Sequence, residues 1–518
     1  MVWIKKLYIC GFKNFKDLFE ISFSQNKNLI IGVNGIGKST ILQAIDLVLQ
    51  KRGITTFGNG NLGYAHYINR ELIKDTDLKF KDDSGKNFTY SDLPKITIAI
   101  EFGSSNEKED GLNIFSGAEF PEQLNWSNSN DKIGLAFEYK FDNDFKNEFN
   151  DYLDSCEDSK IKNEEYSFDI PFEFYTARWK TFGSENYTSN KDPLKTLLID
   201  NDAFQGDPFN IFAKRLYSSM DLINQINSRI NFRRQSKKVE LGEKQRRKDY
   251  KLLIDPNTVN LENIIDVLDQ KKKIFVRDLG SGEENLVKTR LSFNSSAKLV
   301  LIEEPENHLT SENTRKQIEL IRSNFDQKTN KSKQIILTTH NPEVITQLDL
   351  KNAIWLRKDN KGGNIEAKRL EDIKNKKTIN FFNHRSDLDF LKILTAKRVI
   401  IVEGATEFVL MRTLLQRCGY STEASNSVEI VSMVGRYYDP FIDLAKVAGN
   451  KILIFTDNDY LADNSKKDIL SSNDRINTIN DKNKKYHNVQ IFCSQGKKGQ
   501  WQKEWTFEAA VYNKNKKL

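Results

Sequence analysis

A chain of 518 residues and 60.0 kDa, 38% hydrophobic and 29% charged, is long enough for two or three domains with cores of their own. Its net charge of +7 permits a phosphate-rich partner without demanding one. The four cysteines (Cys10, Cys156, Cys418 and Cys493) are scattered with no CxxC pair, which argues against a disulfide framework or a zinc cluster. No apolar run approaches the roughly 18–20 residues that span a bilayer, and Met1 leads straight into strand-like VWIKKLYICGF. The expected location is the cytoplasm, with no membrane partner.

Residues 2–49 read as strand, turn and strand, ending in the helix STILQAIDLVLQ. Within them LIIGVNGIGKST (29–40) fits the pattern GxxxxGK[ST], with Gly32, Gly37, Lys38 and Ser39 in register. An apolar strand precedes the motif and an amphipathic helix follows it, the context a phosphate-binding loop requires. Glycines let the main chain wrap phosphate oxygens, and the helix N-terminus adds its dipole. Lys38 is then expected at the β and γ phosphates of ATP and the Ser39 hydroxyl on Mg²⁺. Asn34, Gly35, Gly37 and Thr40 complete the expected ATP-binding loop.

Strands are expected at KITIAIEFG (95–103), IGLAFEYKF (133–141) and SFDIPFEFYTA (167–177), with turn-rich stretches between them. From about 205 to 270 the apolar spacing becomes helical. The most basic stretch, 229–251, reads as a solvated helix face, with a nucleic-acid contact as the competing reading. Next come DLGSGEENL (278–286), KLVLIEEPENHL (298–309) and IILTTHNPEVI (335–345). Four apolar residues deliver Glu303 and Glu304 to one strand end, and His340 stands at another. A lone strand-end histidine is more often structural, so it is the order of the three segments behind a phosphate loop that carries weight. A polar joint, 357–377, leads to a last α/β segment.

In that segment RVIIVEGATEF (398–408) and KILIFTDNDY (451–460) are apolar strands ending in Glu403 and in Asp457-x-Asp459. A helix-like and a strand-like segment between them give βαβ spacing and a parallel sheet. Chemistry in such sheets collects beyond the carboxyl ends of the strands, where all three carboxylates fall. Carboxylates without histidine or cysteine suit Mg²⁺ or Mn²⁺, which also relieve their repulsion. Acidic residues that merely end strands are the alternative reading.

The phosphate loop and the three segments behind it resemble ABC-type ATPases of the SMC, Rad50 and RecF kind. There Glu303 would hold Mg²⁺, Glu304 would polarise the attacking water, and His340 would be the switch histidine. Ser281 and Gly282, in a segment similar to the LSGGQ signature, would cap the nucleotide of a partner subunit, which implies a homodimer. The Glu…DxD pair resembles a Toprim domain. The combination resembles the OLD (overcoming lysogenization defect) family of nucleases, including retron- and Gabija-type effectors. That resemblance implies an α/β chain: an ABC-type ATPase domain over 1–385, with a helical dimerisation insert near 205–270, then a Rossmann-like Toprim domain over 386–518 with a parallel sheet. It adds Glu407, one turn after Glu403, and Glu508 of WTFEAAV to the metal ligands Glu403, Asp457 and Asp459, with Glu403 also orienting the nucleophile. The Ser-x-x-Gly of IVSMVGRY (430–437) looks like the turn before the DxD strand.

The function implied is an ATP-dependent or ATP-regulated, Mg²⁺- or Mn²⁺-dependent DNA endonuclease in bacterial antiphage defence. Its implied companions are DNA, a second copy through the ATPase domains, and a defence partner such as a helicase-like protein or a reverse transcriptase with its RNA–DNA product. Lysine-rich loops at 482–485 and 497–503, with Trp501 and Trp505 interleaved, read equally as tracking a DNA backbone or as plain exposed loops. Family members continue past the last glutamate into helices bearing a lysine, whereas this sequence ends ten residues after Glu508. Lys514, Lys516 or Lys517, a partner chain, or a shortened variant are the expected explanations. A nucleotide-switched scaffold with an inactive Toprim domain and a RecF-like repair ATPase remain as alternatives.

Overall fold

The computed structural model describes the chain except residues 52–60, 83–87, 106–111, 125, 127–130, 162–168, 200–207, 237–260, 262–263, 308, 327–332, 360–362, 374, 386, 389, 420–427, 458–465, 494–505, 509–510 and 512–518. Asp459, Trp501, Trp505, Lys514, Lys516 and Lys517, named above, therefore lie outside the described residues, as does most of 229–251. Two compact units divide the chain. One comprises Met1–Thr339 with Leu356–Ala367, and the other His340–Trp355 with Lys368–Leu518. The expected joint at 385/386 lies inside the second.

The first unit begins with an antiparallel sheet. β1 (Val2–Cys10) lies between β2 (Phe19–Ser22) and β4 (Ile96–Ser104), and β4 pairs on with β5 (Lys132–Phe141), which also pairs with β6 (Tyr175–Thr181). The strand expected at 167–177 starts only at Tyr175, because Pro171 opens a short 3₁₀ turn over Phe172–Phe174. A second sheet is parallel. In it β3 (Lys27–Ile31) adjoins β9 (Gln334–Thr339), then β8 (Leu299–Glu303), then β7 (Leu197–Ile199). Their centres, residues 29–31, 197–199, 299–302 and 335–337, are apolar runs because both faces are covered, the pattern parallel sheets impose. On one face lies α1 (Lys38–Gln50), whose Ile41, Leu42, Ala44, Ile45 and Val48 are buried. Buried Gln334 ties the two sheets together: its amide donates to Ile4 O and Ser24 O and accepts from Ile4 N–H at 2.8–2.9 Å.

The polar stretch 357–377 is not the simple joint the sequence suggests. It contains the whole of one strand, Ile365–Arg369, and the last two residues of another, Ala353–Lys358. Every residue of Ile365–Arg369 is only half-buried, so its composition stays polar and its period is hidden. Among the described residues of the helical middle are two helices, Pro208–Ser219 and Leu222–Ser236, parted at Met220–Asp221.

The second unit holds a four-stranded sheet, all parallel: β11 (Val428–Ser432), β10 (Arg398–Val402), β12 (Lys451–Thr456) and β13 (Val489–Cys493), in that spatial order. The helix Ala405–Arg417 leads from β10 toward β11, and Asp439–Ala448 from β11 toward β12. The helix Lys466–Lys485 precedes β13. Residues 482–485 are thus the last turn of that helix rather than a loop, where lysines complement the carbonyl end of the helix dipole. Among the described residues no helix is long and apolar enough to cross a membrane.

One buried ion pair braces the phosphate-loop helix: Arg215 Nη2 lies 3.1 Å from Asp46 Oδ2, and Arg215 also donates to Leu198 O at 3.3 Å. Both side chains are nine-tenths covered. Removing one partner of such a pair strands the other charge. Arg215→Met is expected to lower the urea stability of this unit by about 3–5 kcal/mol. A shape-matched apolar pair, Asp46→Leu with Arg215→Met, should recover most of it. A single variant as stable as the wild type would contradict this bracing.

Candidate active sites

The phosphate loop lies between β3 and α1. Gly32, Gly35 and Gly37 have φ of 156°, 78° and 110°, values that side chains resist. Space matters as well at two of them. A Cβ on Gly37 would stand 2.9 Å from Phe15 Cζ, and one on Gly32 would stand 2.9 Å from Leu356 O. Asn14 donates to Gly35 O at 2.6 Å and holds the loop from outside.

Lys38 is buried and folded back into the loop. Its ammonium donates to Gly32 O at 3.1 Å and Val33 O at 3.3 Å, and lies 3.7 Å from Glu304 Oε1. Burial pushes its pKa down, against the pull of Glu304, Glu306 and Glu303. Glu304 follows β8 with φ of 36°. Its N–H donates to Thr338 O at 3.0 Å, and its second oxygen accepts from Asn307. Glu306 accepts from the Thr339 hydroxyl, so the strands β8 and β9 are joined just past their ends. These bonds bring Lys38 and Glu304 together.

Ser281 and Gly282 enter none of those bonds; they open the helix Ser281–Asn294, capped by Gly280. Ser39 and Thr40 occupy the first turn of α1, and Asn34 Oδ1 lies 3.5 Å from the Lys38 ammonium. His340 is the exposed residue after β9 and belongs to the second unit.

Lys13 is an addition that the motifs did not reveal. Its ammonium donates to Gln43 and sits 4.8 Å over the Tyr67 ring; burial lowers its pKa while Glu303 raises it. The only sequence signal was a charged residue in the turn GFKNF. Beside it opens a pocket of about 630 Å³, lined by Lys13, Asn14, Phe15, Gly35, His66 and Asn69 among others, a size that suits a nucleoside.

In the second unit, oxygens of Glu407, Asp457 and Glu508 lie within 4.8 Å of one another at the carboxyl end of the sheet. Asp457 follows β12 directly, so its position is set by the strand register. Glu407 is buried in the first turn of Ala405–Arg417 and accepts the Gly404 N–H at 3.0 Å. Glu508 is exposed; its own N–H and the hydroxyls of Thr406 and Thr506 hold its pKa below the usual carboxylate range. Asp457 behaves oppositely. Burial, then the charges of Glu403, Glu407 and Glu508, push it up to about 6, with the Phe507 N–H opposing at 3.0 Å.

Glu403 is one step removed from this cluster. One oxygen accepts the Thr456 hydroxyl at 2.7 Å and the Asp457 N–H at 2.9 Å; the other lies 3.5 Å from Arg436 Nε. Sequence placed it among the ligands, but which way a carboxylate turns depends on such neighbours. As a donor set, three hard oxygens that repel one another when ionised fit a divalent cation.

A phosphate-loop α/β unit followed by a carboxylate-bearing parallel sheet defines an ATPase domain joined to a Toprim domain. The chain belongs to the AAA ATPase domain family, matched over residues 3–345, and carries an OLD-like TOPRIM domain matched over 394–459. It is similar to endonuclease GajA of Bacillus cereus, at 21% identity over 498 residues, covering 91% of this chain and 78% of that protein. It also resembles the chromosome partition protein Smc of Lactiplantibacillus plantarum, 30% identical over 98 residues. That match covers 18% of this chain and only 8% of the length of Smc. A solved SMC head bound to the C-winged helix domain of ScpA is 15% identical, covering 71% of this chain and 98% of that one at a TM-score of 0.34.

The raised pKa of Asp457 has a signed consequence. Below about pH 6 the metal-free site retains a proton that a cation must displace; above it none is displaced. Calorimetry of Mn²⁺ binding in buffers of different ionisation enthalpy should show close to one proton released near pH 5 and almost none at pH 8. Affinity should fall toward about tenfold per pH unit well below 6. Proton release independent of pH, or retained in Asp457→Asn, would contradict the assignment.

Proposed function

We propose that the chain is an ATP-regulated, divalent-metal-dependent DNA endonuclease of the OLD kind, acting in the cytoplasm in bacterial antiphage defence. The observation that carries this is the convergence of Glu407, Asp457 and Glu508 at one sheet end, in a chain that also has a phosphate loop. Likeness to a protein named as an endonuclease over 91% of the chain supports the reading.

A bound Mg²⁺ or Mn²⁺ would neutralise the carboxylates and polarise a water beside the scissile phosphate. The chain's own residues do the rest. Glu407, Asp457 and Glu508 hold the cation, with Asp459 as the further ligand expected from the sequence. Glu403, fixed by the Thr456 hydroxyl and the Asp457 N–H, orients the nucleophile.

In the ATPase, Lys38 exchanges the carbonyls of Gly32 and Val33 for the β and γ phosphates of ATP. Main-chain N–H groups from Asn34 to Thr40 wrap the phosphates, and the pocket beside Lys13 takes the nucleoside. Ser39 and Glu303 attend the Mg²⁺, Glu304 polarises the attacking water, and His340 reports the γ-phosphate. The helix start at Ser281–Gly282 offers N–H groups to the nucleotide of a second copy, so a homodimer completes the site. A further defence component, helicase-like or a reverse transcriptase with its product, is the companion this reading expects.

Incubated with supercoiled plasmid and Mg²⁺ or Mn²⁺, with and without ATP, the wild type should nick DNA, and Asp457→Ala and Glu407→Ala should lose at least about a hundredfold in rate. Nicking that persists in both variants would sink the carboxylate assignment. Lys38→Ala should abolish nucleotide binding, whereas Glu304→Gln should bind ATP and fail to turn it over. Hydrolysis unchanged in either variant would overturn the ATP site.

A further inference from the structure

The turn that follows β11 is fixed from several sides. Met433 N–H donates to Val402 O at 2.8 Å, and Gly435 N–H to Glu403 O at 3.2 Å. The Ser432 hydroxyl reaches Gly404 O and accepts from Val434 N–H, and Arg385 donates to Met433 O at 3.2 Å. Inside this frame Val434 has φ of 47°. A β-branched residue is an outlier there, and such strain persists only where the surroundings over-determine it, often at functional sites.

What the turn presents is Arg436. Its side chain is two-thirds exposed, and its Nε lies 3.5 Å from Glu403 Oε1 at the edge of the carboxylate cluster. The opposite oxygen of Glu403 is bound to Thr456 and to the Asp457 main chain, so the cation is referenced to the same residue that anchors the cluster. The cations beside the turn are already paired: Arg385, 5.6 Å over Phe381, binds Asp387 with both arms at 2.8 Å, and Lys482, 4.7 Å over Tyr438, binds Asp439.

A site built of carboxylates repels a phosphodiester unless a fixed positive charge meets it. A guanidinium suits the task because its planar fork bonds two phosphate oxygens at once. We propose that Arg436 binds the phosphodiester backbone of a nucleic acid at the carboxylate cluster, with Glu403 holding the guanidinium in place until the backbone arrives. The inference rests on the nuclease reading above and adds the group that receives its substrate. Glu403 keeps its bonds to Thr456 and Asp457 when Arg436 turns to the phosphate, so the cluster need not rearrange.

The test uses the full chain, a short labelled DNA duplex and Ca²⁺ in place of Mg²⁺, with binding followed by anisotropy across a salt series. One lost phosphate contact lowers the slope of log affinity against log salt by about 0.9. Arg436→Ala and Arg436→Gln should each show that reduction and bind roughly tenfold more weakly at 0.1 M salt. Arg436→Lys should restore the slope, which a role confined to holding the turn would leave unmoved in all three. A wild-type slope in Arg436→Ala, with plasmid nicking intact in the wild type, overturns this proposal alone. A wild type that neither binds nor nicks DNA overturns it together with the nuclease reading. Reduced slopes without nicking by the wild type would support Arg436 and remove the cutting activity.

Discussion

Like charges held within 4.8 Å of one another need a proton or a cation between them, and Glu407, Asp457 and Glu508 are so held. Much of the local architecture of the second unit answers that constraint. The strand register of β12 fixes Asp457, a first-turn position fixes Glu407, and two threonine hydroxyls steady Glu508. The Phe507 N–H and the Glu403 bridge hold Asp457 from either side. Without a cation the tension appears as a carboxyl that keeps its proton to about pH 6. Main-chain N–H groups just past the strand ends, those of Gly404 and Asp457, donate to Glu407 and Glu403, and the Phe507 N–H donates to Asp457.

The phosphate loop meets the inverse problem. There a single ammonium, Lys38, is buried among carbonyls of its own loop, with Glu304 at 3.7 Å. Positive φ at three glycines creates the cradle, and contacts with Phe15 and Leu356 prevent any side chain from filling two of them. Acidic residues from the ends of β8 face this cation, and Lys13 adds a second positive group within reach of Glu303. Each unit therefore gathers charge at the carboxyl ends of a parallel sheet, where main-chain groups just past the strands hold it.

How much of this was legible depended on whether a residue's role is set by its neighbours in sequence. GVNGIGKST was legible because glycine spacing, strand and helix all lie within a few residues. The apolar cores of β8, β9 and β10 are legible because both faces are covered, and that of β12 because its alternate residues are buried. Ile365–Arg369 was not, since a half-buried strand carries no apolar period. Lys13 was hidden because it approaches Glu303 from the opposite end of the ATPase unit. The direction in which Glu403 turns was hidden too, because the Thr456 hydroxyl and Arg436 decide it. Arg436 carries no signal of its own beside Ser-x-x-Gly, yet the strained Val434 before it marks the turn as a constrained one.

The central claim is that Glu407, Asp457 and Glu508 form one divalent-cation site. Anomalous diffraction from crystals grown with Mn²⁺ tests it most directly. A manganese peak bounded by those three side chains is expected, lost in Asp457→Asn while any manganese beside Ser39 and Glu303 remains. A second unit with no peak among these carboxylates at saturating Mn²⁺, or with one unaffected by Asp457→Asn, would contradict it.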